Sequence, residues 1–174
     1  VSPAVAGNPV DGDWLPAFMK AEPRVDCIAV HWYKGPNAKK FIRDIEEGFR
    51  GTGVRAGMLK CAADFEGVTP PLETMARAVA RAHLETGAPI MVHSFPTGQV
   101  ARRQIAIFKE EGVDLTRVKI DHSNDTTDLE YLQWILDQGC WLGLDRYPGR
   151  LVSPRQRTNT LKALIDLGHA DRLC

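Results

Sequence analysis

Residues 72–94 read LETMARAVARAHLETGAPIMVHS, and they contain a helix, a stop signal and a strand in succession. The Ala-rich segment 72–86 has helical spacing and ends at Gly87, and Pro89 then opens the short apolar run 89–94. Glycine just past the end of a helix and proline soon after it are typical stop signals. The stretch therefore predicts a helix that is followed directly by a buried strand.

The same alternation recurs along the chain at a spacing of about 30 residues, which is the size of one βα unit. The predicted strands are residues 1–5, 27–33, 56–62, 89–94, 117–122 and 141–145, and a seventh run begins at Leu173. The predicted helices are residues 14–21, 38–49, 72–86, 99–111, 126–138 and 159–167. Strands that alternate with helices favour a mostly parallel sheet, so the predicted fold class is α/β.

Two α/β architectures fit this order: an open doubly wound sheet and a (β/α)8 barrel. An open sheet commonly carries a glycine-rich phosphate loop, but neither GxGxxG nor GxxxxGK[ST] occurs in the sequence. A barrel instead places reactive side chains at the C-terminal ends of several strands. Four successive predicted strands end in this way, with Lys60, His93, His122 and Asp145. We therefore predict a TIM-barrel-like single domain over residues 1–174, with about six βα units where a full barrel has eight.

Composition and charge exclude several classes of partner. The 22 Lys and Arg balance the 22 Asp and Glu, so the sequence shows no general attraction to nucleic acid or to an anionic membrane. No apolar run approaches the roughly 20 residues that span a bilayer. The four cysteines form no CxxC pair, which favours reduced thiols and a cytoplasmic location. A small-molecule substrate is compatible with this composition.

Four sequence segments at these strand ends resemble those of one known family. They are residues 52–60 (TGVRAGMLK), 86–93 (TGAPIMVH), 120–125 (IDHSND) and 143–147 (GLDRY). In this order and spacing, residues 41–174 resemble the phosphotriesterase family of the amidohydrolase superfamily, and more narrowly its lactonase branch. The resemblance implies hydrolysis of lactones or organophosphate triesters by a metal-activated water.

The resemblance also implies a metal site at the same strand ends. Lys60 would be a carboxylated lysine that bridges two divalent ions, with His93 and His122 as ligands of the second ion. Imidazole nitrogens and carboxylate-like oxygens suit Zn, and also Co, Mn or Fe. The expected cofactor is therefore a divalent metal, with zinc first.

Catalytic and substrate-binding residues follow from the same segments. Lys60 and Asp145 are the predicted catalytic residues, with Asp145 as the proton acceptor. Asp121 is expected to point to the opposite face of its strand, away from the site. Arg146 and Tyr147 match the segment that lines the substrate pocket in the lactonase branch, so they are the predicted substrate-binding residues.

Two of the family's ligand groups have no counterpart in residues 1–174. The family's first strand supplies an HxH pair, and no HxH occurs in this sequence. Its eighth strand supplies an aspartate shortly after the segment that corresponds to residues 170–174. The expected binuclear site is therefore incomplete. Two alternatives stay open: a barrel scaffold without catalytic activity, and one part of a barrel whose open sheet edges are covered by a second copy in a homodimer.

The N-terminal segment resembles a different barrel family. Residues 1–5, 13–18 and 25–33 are similar to consecutive βα units of glycoside hydrolase family 128, although they offer no carboxyl pair for glycosidase chemistry. The two resemblances together suggest an engineered chimera, in which residues 1–40 come from one barrel family and residues 41–174 from another, joined near residues 38–44.

Two further features carry weaker signals. His31 ends the second predicted strand and could reach the same mouth, but a hydrogen-bonded structural role is the simpler interpretation. Residues 150–157 hold three arginines without interleaved aromatic residues. This run predicts a solvated loop and not a phosphate-binding patch.

Overall fold

The computed structural model describes residues 4–5, 28–31, 37–49, 52–147 and 151–174. Their strands form one parallel sheet in which each strand lies beside its successor in sequence. The strands are β1 (Ala4–Val5), β2 (Ile28–His31), β3 (Ala56–Ala62), β4 (Ile90–His93), β5 (Val118–Asp121) and β6 (Trp141–Leu142). A doubly wound sheet reverses its strand order partway, whereas a barrel does not. The strand order therefore confirms the predicted barrel-like fold, and the described strands form part of a barrel.

Helices connect the strands and cover one face of the sheet. They are α1 (Ala38–Glu46), α2 (Pro70–Thr86), α3 (Ala101–Glu111), α4 (Leu129–Asp137) and α5 (Pro154–Asp166). The predicted helix over residues 14–21 lies outside the described residues. At the end of α2, Gly87 adopts a left-handed backbone with φ 67°, which a side chain would strain, so the predicted stop signal is confirmed. Within the described ranges, no helix is long and apolar enough to cross a bilayer.

The two faces of the sheet have different surroundings. The face that packs against the helices forms the core, where strand side chains are at most 2% exposed: Leu59, Ile90, Val92, Val118, Ile120 and Leu142. Because side chains alternate along a strand, the intervening residues point to the concave face. One register row on that face joins Lys60, Met91, Lys119 and Trp141, and the next row towards the C-terminal ends includes His93 and Asp121.

The end of the described chain returns to the edge of the sheet. After α5, Leu173 forms a parallel bridge with Leu142 of β6. The backbone N–H of Cys174 donates to the Leu142 carbonyl at 3.0 Å, and the N–H of Leu144 donates to the Cys174 carbonyl at 2.5 Å. These contacts lie where the seventh run was predicted to begin.

Candidate active site

Two histidines meet at the C-terminal ends of β4 and β5. His93 is the last residue of β4, and its Nδ1 lies 2.8 Å from Nε2 of His122. The rings meet edge to face, with their centroids 4.5 Å apart. His122 follows β5 with φ 62°, a left-handed backbone that is uncommon outside glycine. This conformation turns the His122 ring towards His93, so the two predicted ligands are brought together.

Each histidine contacts a carboxylate with its outer nitrogen. Nε2 of His93 lies 3.2 Å from Oδ2 of Asp64, and Nδ1 of His122 lies 2.9 Å from Oδ2 of Asp145. The backbone N–H of His122 also donates to Asp145 Oδ1 at 2.8 Å. A carboxylate on one imidazole nitrogen is the arrangement that orients the other nitrogen towards a metal ion. The strand-end argument did not single out Asp64, although it lies in the turn after β3, where barrel enzymes place functional residues.

The environment holds these groups in defined charge states. Burial by itself would raise the pKa of Asp145, but the hydrogen bond and the charge of His122 outweigh it and lower this pKa to about 2. Burial, and then the nearby charge of His122, lower the pKa of His93 below its ordinary value. Near neutral pH, His93 is therefore uncharged and keeps a lone pair for a ligand, while Asp145 is a carboxylate and only a weak base.

Lys60 is buried one register row before His93 on the concave face, and it forms an ion pair with Asp121. Its Nζ donates to Oδ2 of Asp121, and the two side chains are only 7% and 3% exposed. The second oxygen of Asp121 lies 3.1 Å from Nζ of Lys119. The prediction that Asp121 points away from the site is wrong. It counted His122 as part of the strand, but β5 ends at Asp121, which therefore shares the concave face with Lys119.

The glycine opposite Asp121 makes this arrangement possible. A Cβ added to Gly143 would lie 2.9 Å from Oδ1 and 3.0 Å from Cα of Asp121. Real Cβ atoms do not approach other atoms so closely, so no larger residue fits there without movement of the strand. Gly143 thus leaves the space in which the buried carboxylate meets the two lysines.

The histidine pair fits a divalent ion, and Lys60 fits only after modification. Two imidazole nitrogens on one tetrahedral zinc ion stand about 3.3 Å apart, so the observed pair would have to open by roughly 0.5 Å. Lys60 bound to Asp121 is an ammonium group, which has no lone pair for a metal. Among the residues that the structure describes, no group of three or more His, Cys, Asp or Glu could hold a metal ion. The two histidines that were predicted as ligands therefore lie together, and Lys60 could join them as a ligand only as a carbamate.

The predicted substrate-binding residues lie in the loop after β6, at the same end of the sheet. Arg146 is 43% exposed in its side chain, and its Nη1 donates to Oδ2 of the buried Asp125 at 2.7 Å. Tyr147 is 49% exposed. The prediction of a solvated loop over residues 150–157 is wrong from Pro154 onwards, where α5 begins, and Arg150 lies outside the described residues. Arg157 lies in α5 with a fully buried side chain and binds the other oxygen of Asp125 at 2.6 Å.

Comparison with known proteins agrees with this partial TIM barrel. The sequence model of the phosphotriesterase family matches residues 34–174. The chain belongs to this family.

Similar proteins cover most of this chain. It is 44% identical over 151 residues to a phosphotriesterase homology protein of Mycobacterium tuberculosis, covering 81% of this chain and 46% of that protein. It is 41% identical over 137 residues to an aryldialkylphosphatase of Saccharolobus solfataricus, with coverages of 78% and 44%. The solved structure of the phosphotriesterase from Mycobacterium tuberculosis superposes with a TM-score of 0.76 at 45% identity, covering 78% of this chain and 43% of that one. The chain spans less than half the length of these relatives.

A second family model matches the N-terminal part. The glycosyl hydrolase catalytic core matches residues 1–52, which agrees with the glycoside hydrolase resemblance of this segment. The two matches overlap over residues 34–52.

Proposed function

We propose that this chain is a metal-dependent hydrolase of the phosphotriesterase or lactonase type. The observation that carries the proposal is the pair of facing histidines, His93 and His122, whose outer nitrogens both contact carboxylates. The similarity to an aryldialkylphosphatase supports an ester substrate of phosphorus, and the resemblance at Arg146 and Tyr147 supports a lactone.

Each residue has a defined part in the proposed reaction. His93 and His122 would hold one divalent ion, for which zinc is the first candidate, and a carboxylated Lys60 would be the third ligand. When bound, such an ion would supply polarisation of a substrate oxygen and a lowered pKa for a water. Asp145 orients His122, and its predicted role as proton acceptor is the less favoured one because a carboxyl group with a pKa of about 2 is a weak base. Arg146 and Tyr147 bind the substrate at the mouth.

Metal content and hydrolysis test this proposal together. The purified full chain is loaded with zinc, manganese or cobalt, dialysed and subjected to elemental analysis, and it is then assayed with an aryl dialkyl phosphate and with a lactone. We expect bound metal close to one ion per chain, and loss of both metal and turnover in His122→Ala and Lys60→Ala. Lys162→Ala is the matched control, because Lys162 is exposed and pairs with Asp166 on the helix surface. A folded wild-type chain that retains no metal would contradict the proposal.

A barrel scaffold without activity is the second candidate. It is favoured by the buried pairing of Lys60 with Asp121, which occupies the lysine that the metal site needs. It is also favoured by the lack of a three-residue metal cluster in the described part of the chain. This candidate predicts that the zinc-loaded chain and its Lys60→Ala variant have the same metal content and the same background rate of hydrolysis.

The two family matches support a proposal on the origin of the chain, and the edges of the sheet support one on its assembly. We propose that residues 1–40 and 41–174 derive from two barrel families joined near residues 38–44, because both families match residues 34–52. One natural protein that is collinear with the whole chain would contradict this origin. We also propose a cytoplasmic homodimer in which a second copy pairs with an edge of the sheet that the described residues form. Sedimentation equilibrium that gives a monomer mass of 19.3 kDa would contradict the dimer.

A further inference from the structure

Arg157 is a fully buried cation that joins three segments of the chain. Its Nε donates to the Val152 carbonyl at 3.1 Å, Nη1 to the Asn124 carbonyl at 2.5 Å, and Nη2 to Oδ1 of Asp125 at 2.6 Å. Arginine is almost never fully buried unless it is paired. The planar fork of the guanidinium therefore fixes the loops after β5 and β6 against α5.

Asp125 shares its single negative charge between two arginines. Oδ1 accepts from Arg157 and Oδ2 accepts from Nη1 of Arg146, and the Asp125 side chain is only 3% exposed. The three groups together carry one net positive charge. Because Arg157 is enclosed and Arg146 is 43% exposed, this charge is presented to solvent through Arg146. Without Arg157, Asp125 and Arg146 would form a neutral pair.

The geometry also leaves Arg146 with donors for a ligand. Within the described ranges, its side chain makes one hydrogen bond, from Nη1 to Asp125. Its backbone carbonyl accepts from Nδ2 of Asn124 at 3.2 Å, which fixes the loop behind it. The neighbouring Tyr147 ring lies 5.8 Å from Cζ of Arg157, within the range of a cation–π contact.

We propose that Arg146 binds an oxyanion at the mouth, and that Arg157 is the positioning residue that fixes the Asp125 carboxylate behind Arg146 and gives the group of Arg146, Asp125 and Arg157 its net positive charge. The ligand class is a phosphate diester or a carboxylate, which a guanidinium binds through charge-assisted hydrogen bonds. For its biological role this inference rests on the proposed function, since hydrolysis of a phosphotriester or of a lactone releases such an anion. The binding itself requires neither metal nor turnover.

The test measures anion binding to the chelator-treated full chain. Diethyl phosphate and, separately, acetate are titrated by calorimetry at low and at high ionic strength, because a bond to an exposed cation weakens with salt. We expect Arg146→Gln to abolish binding and Arg157→Met to weaken it about tenfold. Arg157→Lys should retain most of the affinity, because it restores the buried charge. Arg155→Met is the matched control, since Arg155 is an exposed arginine of the same helix, and its affinity should equal that of the wild type.

Three results would overturn the inference: a wild-type chain that binds neither anion, unchanged binding in Arg146→Gln, or unchanged binding in a folded Arg157→Met. If Arg157→Met does not fold, two other variants test the inference. Arg146→Gln changes an exposed side chain and should lose binding, and Arg157→Lys keeps the buried charge and should retain it. A preference for diethyl phosphate or for acetate distinguishes the two anion classes. Anion binding without metal uptake or turnover would count against the proposed function alone.

Discussion

Removal of the Asp121 charge should destabilise the protein more than removal of the Lys60 charge. Asp121→Asn leaves the ammonium of Lys60, 7% exposed, without an anion. Loss of one partner from a buried ion pair typically costs about 3 to 5 kcal/mol. In Lys60→Met, by contrast, Asp121 keeps the second ammonium, that of Lys119 at 3.1 Å. The expected cost of this change is about 1 to 3 kcal/mol.

The assay is urea unfolding of the full chain followed by far-ultraviolet circular dichroism at pH 7. A chelator is present, so that metal binding does not contribute to the free energy of unfolding. The double variant Lys60→Met/Asp121→Asn should lose at least about 1 kcal/mol less than the sum of the two single losses, because the partners contact each other. Lys162→Met, which breaks an exposed pair, should change the stability by less than about 0.5 kcal/mol.

Two results would refute this reasoning. A larger loss in Lys60→Met than in Asp121→Asn would mean that Lys119 does not compensate the carboxylate. Strictly additive losses would mean that Lys60 and Asp121 do not form the buried pair.

Three other predictions concern the backbone at the site, the dependence of stability on pH in acid, and the start of α5. Gly143→Ala should cost about 1 to 3 kcal/mol in urea unfolding, because its Cβ would meet the side chain and the backbone of Asp121. Gly98→Ala should cost less than about 1 kcal/mol, because its Cβ would meet the side chains of Phe95 and Val100 and no backbone atom among its nearest neighbours. The folded pKa of Asp145, about 2, lies below the ordinary 3.8. Its carboxylate therefore stabilises the fold above about pH 4, and this stabilisation is lost as the pH falls towards 2. In Asp145→Asn the unfolding free energy should depend less on pH between about 4 and 2, and an unchanged pH dependence would contradict the ion pair with His122. Ser153→Ala removes a capping box and should lower the unfolding free energy by about 1 kcal/mol in the same assay, while an unchanged midpoint would show that the cap is dispensable.

Local sequence patterns predicted the elements well where hydrophobic period and stop residues agreed. β3 has the predicted bounds, and α2 ends at the predicted residue, because Gly87 supplies a left-handed backbone that stops the helix. The start of α2 is two residues earlier than predicted, since proline is favoured in the first turn of a helix. The start of α5 is five residues earlier, at Pro154.

The face of a residue near a strand end was harder to predict. Alternation gives the correct face only while the strand continues, and β5 ends one residue before His122. The left-handed backbone at His122 therefore reversed the prediction for Asp121. The contact between Asp64 and His93 was also missed, because a turn residue has no periodic pattern that shows which strand it approaches.

The sequence by itself determined the α/β class, the succession of βα units and the reactive residues at their strand ends, because these depend on local period and on turn chemistry. Only the tertiary structure decided which charges meet. Asp121 lies with Lys60, 61 residues away along the chain, and Asp125 lies between Arg146 and Arg157. Such pairs depend on strand register and on loop conformation, which bring distant residues within hydrogen-bond reach and which the local pattern does not encode.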